Sequence, residues 1–318
     1  MLKPALFLFA ALAAAEPPAA TISNGLVTVK LYLPDAASGY YRGTRFDWSG
    51  QISSLKTKNH EYFGQWLEKY DPKAHDAIQG PVEEFRTDGA ALGFKDAAVG
   101  ADFVRIGIGV LRKPDDKPFQ AFRGYEIVDP GRWKVRQGKD WIEFTHELKT
   151  SFGYAYVYTK KIRLLKGQTA MVIEHSLKNT GSKTIETSQY NHNFFVIDGQ
   201  PTGPAASVKF PFELTPVRQF QGGMAEARGR EIAILKQLQG EENTIGEFRG
   251  FGPTAADYDI RVEHTSAGVR IRGSLPLEKV VFWCRRTTLC PEPYVKLAAA
   301  PGRTAKWQYS YDFYDLKK

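Results

Sequence analysis

Cysteine is nearly absent: Cys284 and Cys290 are the only two in 318 residues. Two thiols make an incomplete zinc site, and no CxxC or HxxxH spacing lies near them, so a metal centre built on cysteine is not expected. The pair fits one disulfide instead, the expected state in an oxidising compartment. Clustered charge is lacking too. The formal charge is +8, but Lys and Arg are spread along the chain apart from pairs such as Lys160-Lys161 and Arg285-Arg286. A nucleic-acid footprint needs clustering, so no nucleic-acid partner is expected. A solvated basic surface remains, compatible with an acidic sugar. Helical periodicity is scarce, and neither a linker nor an internal repeat interrupts the composition. Residues 16–318 therefore read as a single domain.

The one marked apolar run is the first fifteen residues, MLKPALFLFAALAAA. Lys3 supplies a positive start, Ala5 to Leu12 an apolar centre and the alanines a cleavage box, the pattern of a signal peptide over residues 1–15. A membrane-spanning helix needs about twenty apolar residues, and Glu16-Pro17-Pro18 comes too early for that. No Cys follows the box, which argues against a lipoprotein. The expectation is a periplasmic or secreted protein with no membrane attachment after cleavage.

What is present in quantity is period-two alternation, the signature of half-buried strands. It runs through Leu26 to Leu33, Phe103 to Val110, Trp133 to Val135 with Trp141 to Phe144, Tyr154 to Leu165 with Met171 to Leu177, and on to Ala305 to Tyr314. Arg136 to Asp140 and Lys166-Gly167-Gln168 separate two of these pairs as hairpin turns. The expectation is an all-β fold, a large antiparallel β-sandwich with few helices. Gly64 to Val99 is dominated by polar, charged and Gly residues and reads as loops or short helices over a sandwich edge.

Two segments place titratable groups inside apolar strands. In Tyr190-Asn191-His192-Asn193-Phe194, strand alternation puts His192 on one face with Tyr190 and Phe194. That setting suits an imidazole held against aromatic walls, and equally a core histidine satisfied by a backbone group. In Cys290-Pro291-Glu292-Pro293-Tyr294, the flanking prolines restrict the backbone, so little further entropy is lost in aiming Glu292. An exposed Glu in a Pro-rich turn is the alternative. A Cys284–Cys290 bridge would stiffen the approach.

Asn191-His192-Asn193-Phe194-Phe195 resembles the Asn-His-x-aromatic-Phe strand of aldose 1-epimerases. Cys290 to Tyr294, followed by Pro301-Gly302 and a closing strand, is similar to the same family's C-terminal segment, where a Glu precedes a Pro-Gly turn. Asn24-Gly25-Leu26-Val27 and Trp48 to Leu55 resemble the opening strands of the galactose mutarotase-like superfamily. The resemblance implies the mutarotase supersandwich, a mono- or oligosaccharide ligand, and interconversion of sugar anomers without cofactor or metal. Glu292 would be the base at the anomeric hydroxyl and His192 the acid at the ring oxygen.

The resemblance also implies helpers around the sugar. Arg45 and Arg86 compete for the arginine that holds sugar hydroxyls. His75 stands for a second histidine, with His146 the other nearby candidate and more suited to structure. Asp257 falls near the family's substrate-binding Asp, with Asp259 beside it, though both equally suit turn residues capping the next strand; Asn191 joins the substrate-binding set from within the histidine motif. Apart from the resemblance, Arg285 and Arg286 lie close to Glu292 in sequence and suit recognition of a uronate or other anionic sugar, and equally a solvated loop. Two other functions remain open: a carbohydrate-binding protein that keeps the cleft without turnover, and a polysaccharide-processing enzyme on the same sandwich.

Overall fold

The computed structural model describes residues 16–316, so the leader read at residues 1–15 lies outside the described residues. The described chain is all-β, with two short 3-10 turns as its only helical elements. Its largest layer is a ten-stranded antiparallel sheet. In spatial order it runs Ala225–Arg228, Glu231–Ile234, Ala206–Lys209, Asp259–His264, Ala267–Gly273, Thr304–Asp315, Ala170–Asn179, Ala155–Leu164, Trp141–Lys149 and Arg132–Gln137. Facing it is a six-stranded sheet ordered Thr215–Arg218, Asn243–Arg249, Lys279–Arg285, Thr288–Ala299, Ile185–His192 and Val82–Arg86. Two three-stranded sheets, formed from segments between Ala19 and Lys56 and between Asp102 and Asp129, complete the fold.

Alternation explains how the two large layers meet. Along Ala155–Leu164 the side chains of Tyr156, Tyr158, Ile162 and Leu164 are buried, while Val157, Thr159, Lys161 and Arg163 are half-buried. The inward rows join Val280, Phe282, Val295 and Phe195 of the facing sheet region in one apolar core. Burial of each such aliphatic or aromatic side chain stabilises the fold by roughly 1.5 to 3 kcal/mol. Polar groups also bridge the layers. Tyr311 donates from its hydroxyl to Asn193 Oδ1 at 2.9 Å and accepts from Asn191 Nδ2 at 3.2 Å, and Tyr309 donates to Gln189 Oε1. Lys160, fully buried, donates to Glu83 Oε2 at 2.5 Å and to the Ser49 carbonyl at 2.9 Å.

Three expectations change against this architecture. Phe103 to Val110 is two strands, Asp102–Arg105 and Gly109–Arg112, paired as a hairpin. Gly107 turns with φ of 77°, and a Cβ there would lie 2.5 Å from Asp47 Oδ1, so only glycine fits this turn. Gly64 to Val99 contains the Val82–Arg86 strand, whose Val82, Glu83, Glu84 and Phe85 are all buried. The disulfide does not form. Cys284 stands opposite Leu289, whereas Cys290 stands opposite Trp283, so the two thiols project from opposite faces of one hairpin. Both are free and buried, Cys284 in the interlayer core and Cys290 in a second aromatic cluster on the other face.

Candidate functional site

The outer face of the six-stranded sheet carries the chemistry. Cross-strand partners share a face, and Lys279, Tyr294, Tyr190 and Glu84 are successive partners across four strands. Two residues further along, the next row holds Val281, Glu292, His192 and Val82. The strand geometry therefore brings together the two residues singled out from separate motifs: His192 Nε2 lies 3.2 Å from Glu292 Oε1.

Aromatic rings enclose the imidazole. It stacks on Phe194 at 3.8 Å and meets the edges of Phe46 and Trp283, each at 5.6 Å. The histidine strand ends at His192, and Phe194 reaches the ring through a left-handed backbone, φ 40°. Such a conformation costs a non-glycine residue about 1 to 2 kcal/mol, opposed here by stacking on His192 and on Trp66 at 5.1 Å. His192 is 4 % exposed and Glu292 5 %. Burial, reinforced by Arg45, holds the imidazole well below its usual range, whereas burial pushes the Glu292 carboxyl up to about 7 against the pull of Arg45 and Arg86.

Beside the couple, three guanidiniums converge on Glu84. Arg45 Nε donates to Oε2 at 2.9 Å, Arg86 Nε to Oε1 at 2.7 Å, and Arg105 Nη2 to Oε1 at 3.3 Å. Arg86 Nη2 and the Tyr190 hydroxyl also donate to Oε2, and Arg45 Nη2 donates to Tyr190 Oη at 3.2 Å. Burial favours the neutral acid, yet Arg86, Arg45 and Arg105 hold Glu84 well below the usual carboxylate range. A groove of about 630 Å³ opens on the same face, lined by Arg86, Ser188, Glu278, Lys279, Tyr294 and Lys296 among others.

Arg45 and Arg86 therefore both stand at this site, rather than one of them. His75 sits at its margin, half-buried, with its ring 4.8 Å from Phe122, which in turn covers the Arg45 guanidinium at 4.6 Å. The other three expected substrate residues are elsewhere. Asn191 points into the interlayer, where it bonds Gln189 and Tyr311, because it is one residue out of phase with His192. Asp257 closes its own turn by accepting from the Gly252 N–H. Arg285 is at the far end of its strand, paired with Glu241 and over the Trp66 ring at 5.9 Å, and Arg286 pairs with Glu68.

His146 is structural: its Nε2 meets the Pro130 carbonyl at 2.9 Å and its ring stacks on Trp133 at 4.2 Å. The sequence placed Tyr190 beside His192, but it left Glu84, Arg105, Trp283 and Lys279 unmarked. The adjacent Glu83-Glu84 followed by Phe85-Arg86 was the available signal, since charged residues inside a strand demand buried partners. Among the described residues no group of three or more His, Cys, Asp or Glu is placed to hold a metal ion.

No protein-family model and no curated protein sequence matches the chain. Solved structures do match it in fold. A GalM/aldose epimerase homologue from C. elegans aligns with a TM-score of 0.57 at 12 % identity, over 94 % of this chain and 99 % of that one. A galactose mutarotase-like protein from Lactobacillus casei ATCC 334 gives 0.54 at 13 % identity, over 93 % and 100 %. A galactose 1-epimerase from Lactobacillus acidophilus NCFM gives 0.51 at 8 % identity, over 93 % and 94 %. The chain thus has the galactose mutarotase-like fold.

Proposed function

We propose, on the premise of this galactose mutarotase-like fold, that the protein is a sugar mutarotase working by proton transfer through Glu292 and His192. The observation that carries the reading is the 3.2 Å contact between His192 Nε2 and Glu292 Oε1 on the outer face of the six-stranded sheet. Anomer exchange requires one proton to leave the anomeric hydroxyl while another reaches the ring oxygen. Burial leaves the resting proton on Glu292, so it first crosses the contact to His192 Nε2. Glu292 then accepts the anomeric proton and His192 donates to the ring oxygen; the C1–O5 bond breaks, the carbonyl turns about C1–C2, and closure reverses both transfers. A couple holding one proton between its members can supply both ends of this exchange without any change in its net charge. General acid-base catalysis of this kind contributes about 10²- to 10⁴-fold.

The test is the equilibration of freshly dissolved α-anomers, followed by proton NMR, for neutral hexoses, pentoses and hexuronic acids. Acceleration by the protein is expected for at least one class, and loss of about 10²-fold or more in Glu292→Gln and in His192→Asn. Wild-type rates in either folded variant overturn the assignment. The burial of His192 and Glu292, 4 % and 5 % exposed, favours a second reading in which the protein binds a sugar without turning it over. Heat-detected binding with no acceleration for any bound sugar would select that reading. Export to the periplasm or exterior, inferred from the leading fifteen residues, belongs to the same proposal, since it would set extracellular or periplasmic saccharides as the ligands.

A further inference from the structure

The group around Glu84 and Glu292 holds more cations than carboxylates. Arg45, Arg86 and Arg105 share Glu84 as their carboxylate. Arg105 is 2 % exposed, and its Nη1 has no hydrogen-bond partner among the described residues. Lys279 adds a fourth cation: its ammonium lies 4.3 Å over the Tyr294 ring, with no carboxylate partner among the described residues. Around Glu84 and Glu292, with Glu292 counted as an anion, four cations meet two carboxylates, whereas the rest of the groove's lining, Arg249 and Lys296 with Asp88, Glu186, Glu247 and Glu278, carries no positive excess. Desolvated charge of one sign is costly unless a counter-charge arrives.

The adjoining groove can deliver one. Most of its own carboxylates are engaged: Glu278 accepts from Ser188 and lies 3.7 Å from Lys296, Glu247 lies 3.8 Å from Arg249, and Asp88 lies 3.4 Å from Lys95. Glu186 is exposed to solvent. Arg86 uses Nε and Nη2 on Glu84, which leaves Nη1 without a partner among the described residues. The Tyr294 hydroxyl is likewise without one, its ring stacked on Tyr190 at 4.1 Å. Three donors from three strands thus gather at one end of the groove. Tyr294 is two residues from Glu292 on the same strand and face, a separation of about 7 Å, within the reach of one substituted pyranose.

We propose that this end of the groove binds the anionic substituent of an acidic saccharide, a carboxylate or a sulfate or phosphate ester, through Arg86, Lys279 and Tyr294. The proposal deepens the mutarotase reading and rests on it for what happens to the sugar, but not for binding. Charge-assisted hydrogen bonds are about twice as strong as neutral ones, and a guanidinium presents a planar edge that matches either anion.

Heat-detected titrations with glucose, galactose, D-glucuronate, D-galacturonate, glucose 6-sulfate and glucose 6-phosphate, at low and high salt, test it. At least one charged sugar should bind about tenfold more tightly than its neutral parent, with the advantage shrinking in salt. Lys279→Gln, at a half-buried groove position, should cut the charged-to-neutral affinity ratio about fivefold, and Lys279→Arg should restore it. The uronate and ester arms separate a carboxylate site from a phosphate or sulfate site. Equal affinities for charged and neutral sugars, or a ratio unmoved by Lys279→Gln, overturn the proposal. Anion preference without anomer exchange would remove the catalytic reading and support this one; exchange of neutral sugars without anion preference would do the reverse.

Discussion

Replacing Glu292 by Gln should change how stability depends on pH, and the size of that change follows from the site. In the unfolded chain this carboxyl titrates near its ordinary 4.5, whereas burial in the fold raises it to about 7. Between those values the folded state holds a proton that the unfolded state has released. Stability therefore falls as pH rises through this window, because the folded state must finally accept a buried carboxylate. A rise from 4.5 to about 7 corresponds to about 3 kcal/mol. Gln occupies nearly the same volume and carries no titration, so the stability difference between Glu292→Gln and the wild type should grow by about 3 kcal/mol in the variant's favour from pH 4.5 to pH 8. Urea unfolding of both proteins at closely spaced pH values measures it, and taking the difference removes the shared titrations of Glu83 and His146. In the same window the couple loses its last proton, so the wild-type mutarotation rate should fall on the alkaline side of pH 7. A stability difference independent of pH would refute the reasoning, since it would mean that Glu292 is solvated or permanently compensated.

Other consequences are open to direct measurement. Lys160→Met leaves Glu83 without its ammonium partner in the interlayer and should cost about 3 to 5 kcal/mol of stability in urea; a cost under about 1 kcal/mol would mean that the pair is dispensable. Burial holds His146 at about 4 in the fold, so its contribution is fully present above pH 6.5 and is lost as pH falls through 4. That amounts to about 3 kcal/mol, and it should vanish from the acid limb of His146→Gln. Both cysteines should react with a thiol reagent in denaturant without prior reduction, and neither should react in the native protein; an unreactive denatured chain would indicate the bridge that the opposite-facing thiols exclude. Tyr190→Phe removes donation to Glu84 and acceptance from Arg45, and should raise the KM for a charged sugar more than it lowers kcat.

Much of the sandwich was legible because alternation is a local property. A strand with one buried face must repeat every second residue, and the hairpin of Ala155–Leu164 with Ala170–Asn179 pairs in register across its length. Legibility failed where that local rule was broken. Val82–Arg86 reads as a charged loop because two glutamates sit within it, yet Glu83 faces Lys160 in the interlayer and Glu84 faces three arginines on the opposite side. Phe103 to Val110 reads as one strand because the turn needs only glycine's left-handed φ, which leaves no hydrophobic trace.

The sequence by itself determined the β class and the hairpin pairs, and its resemblance to the aldose 1-epimerase motifs marked His192 and Glu292 as the two residues to join. Tertiary structure decided the rest. The phase of a strand put Asn191 in the core and His192 on the outer face, the register of one hairpin set Cys284 and Cys290 back to back, and a strand distant in sequence brought Glu84 to gather Arg45, Arg86 and Arg105. The physical reason is common to all three: periodicity along a chain fixes which residues share a face, but only cross-strand pairing and burial fix which charges must meet.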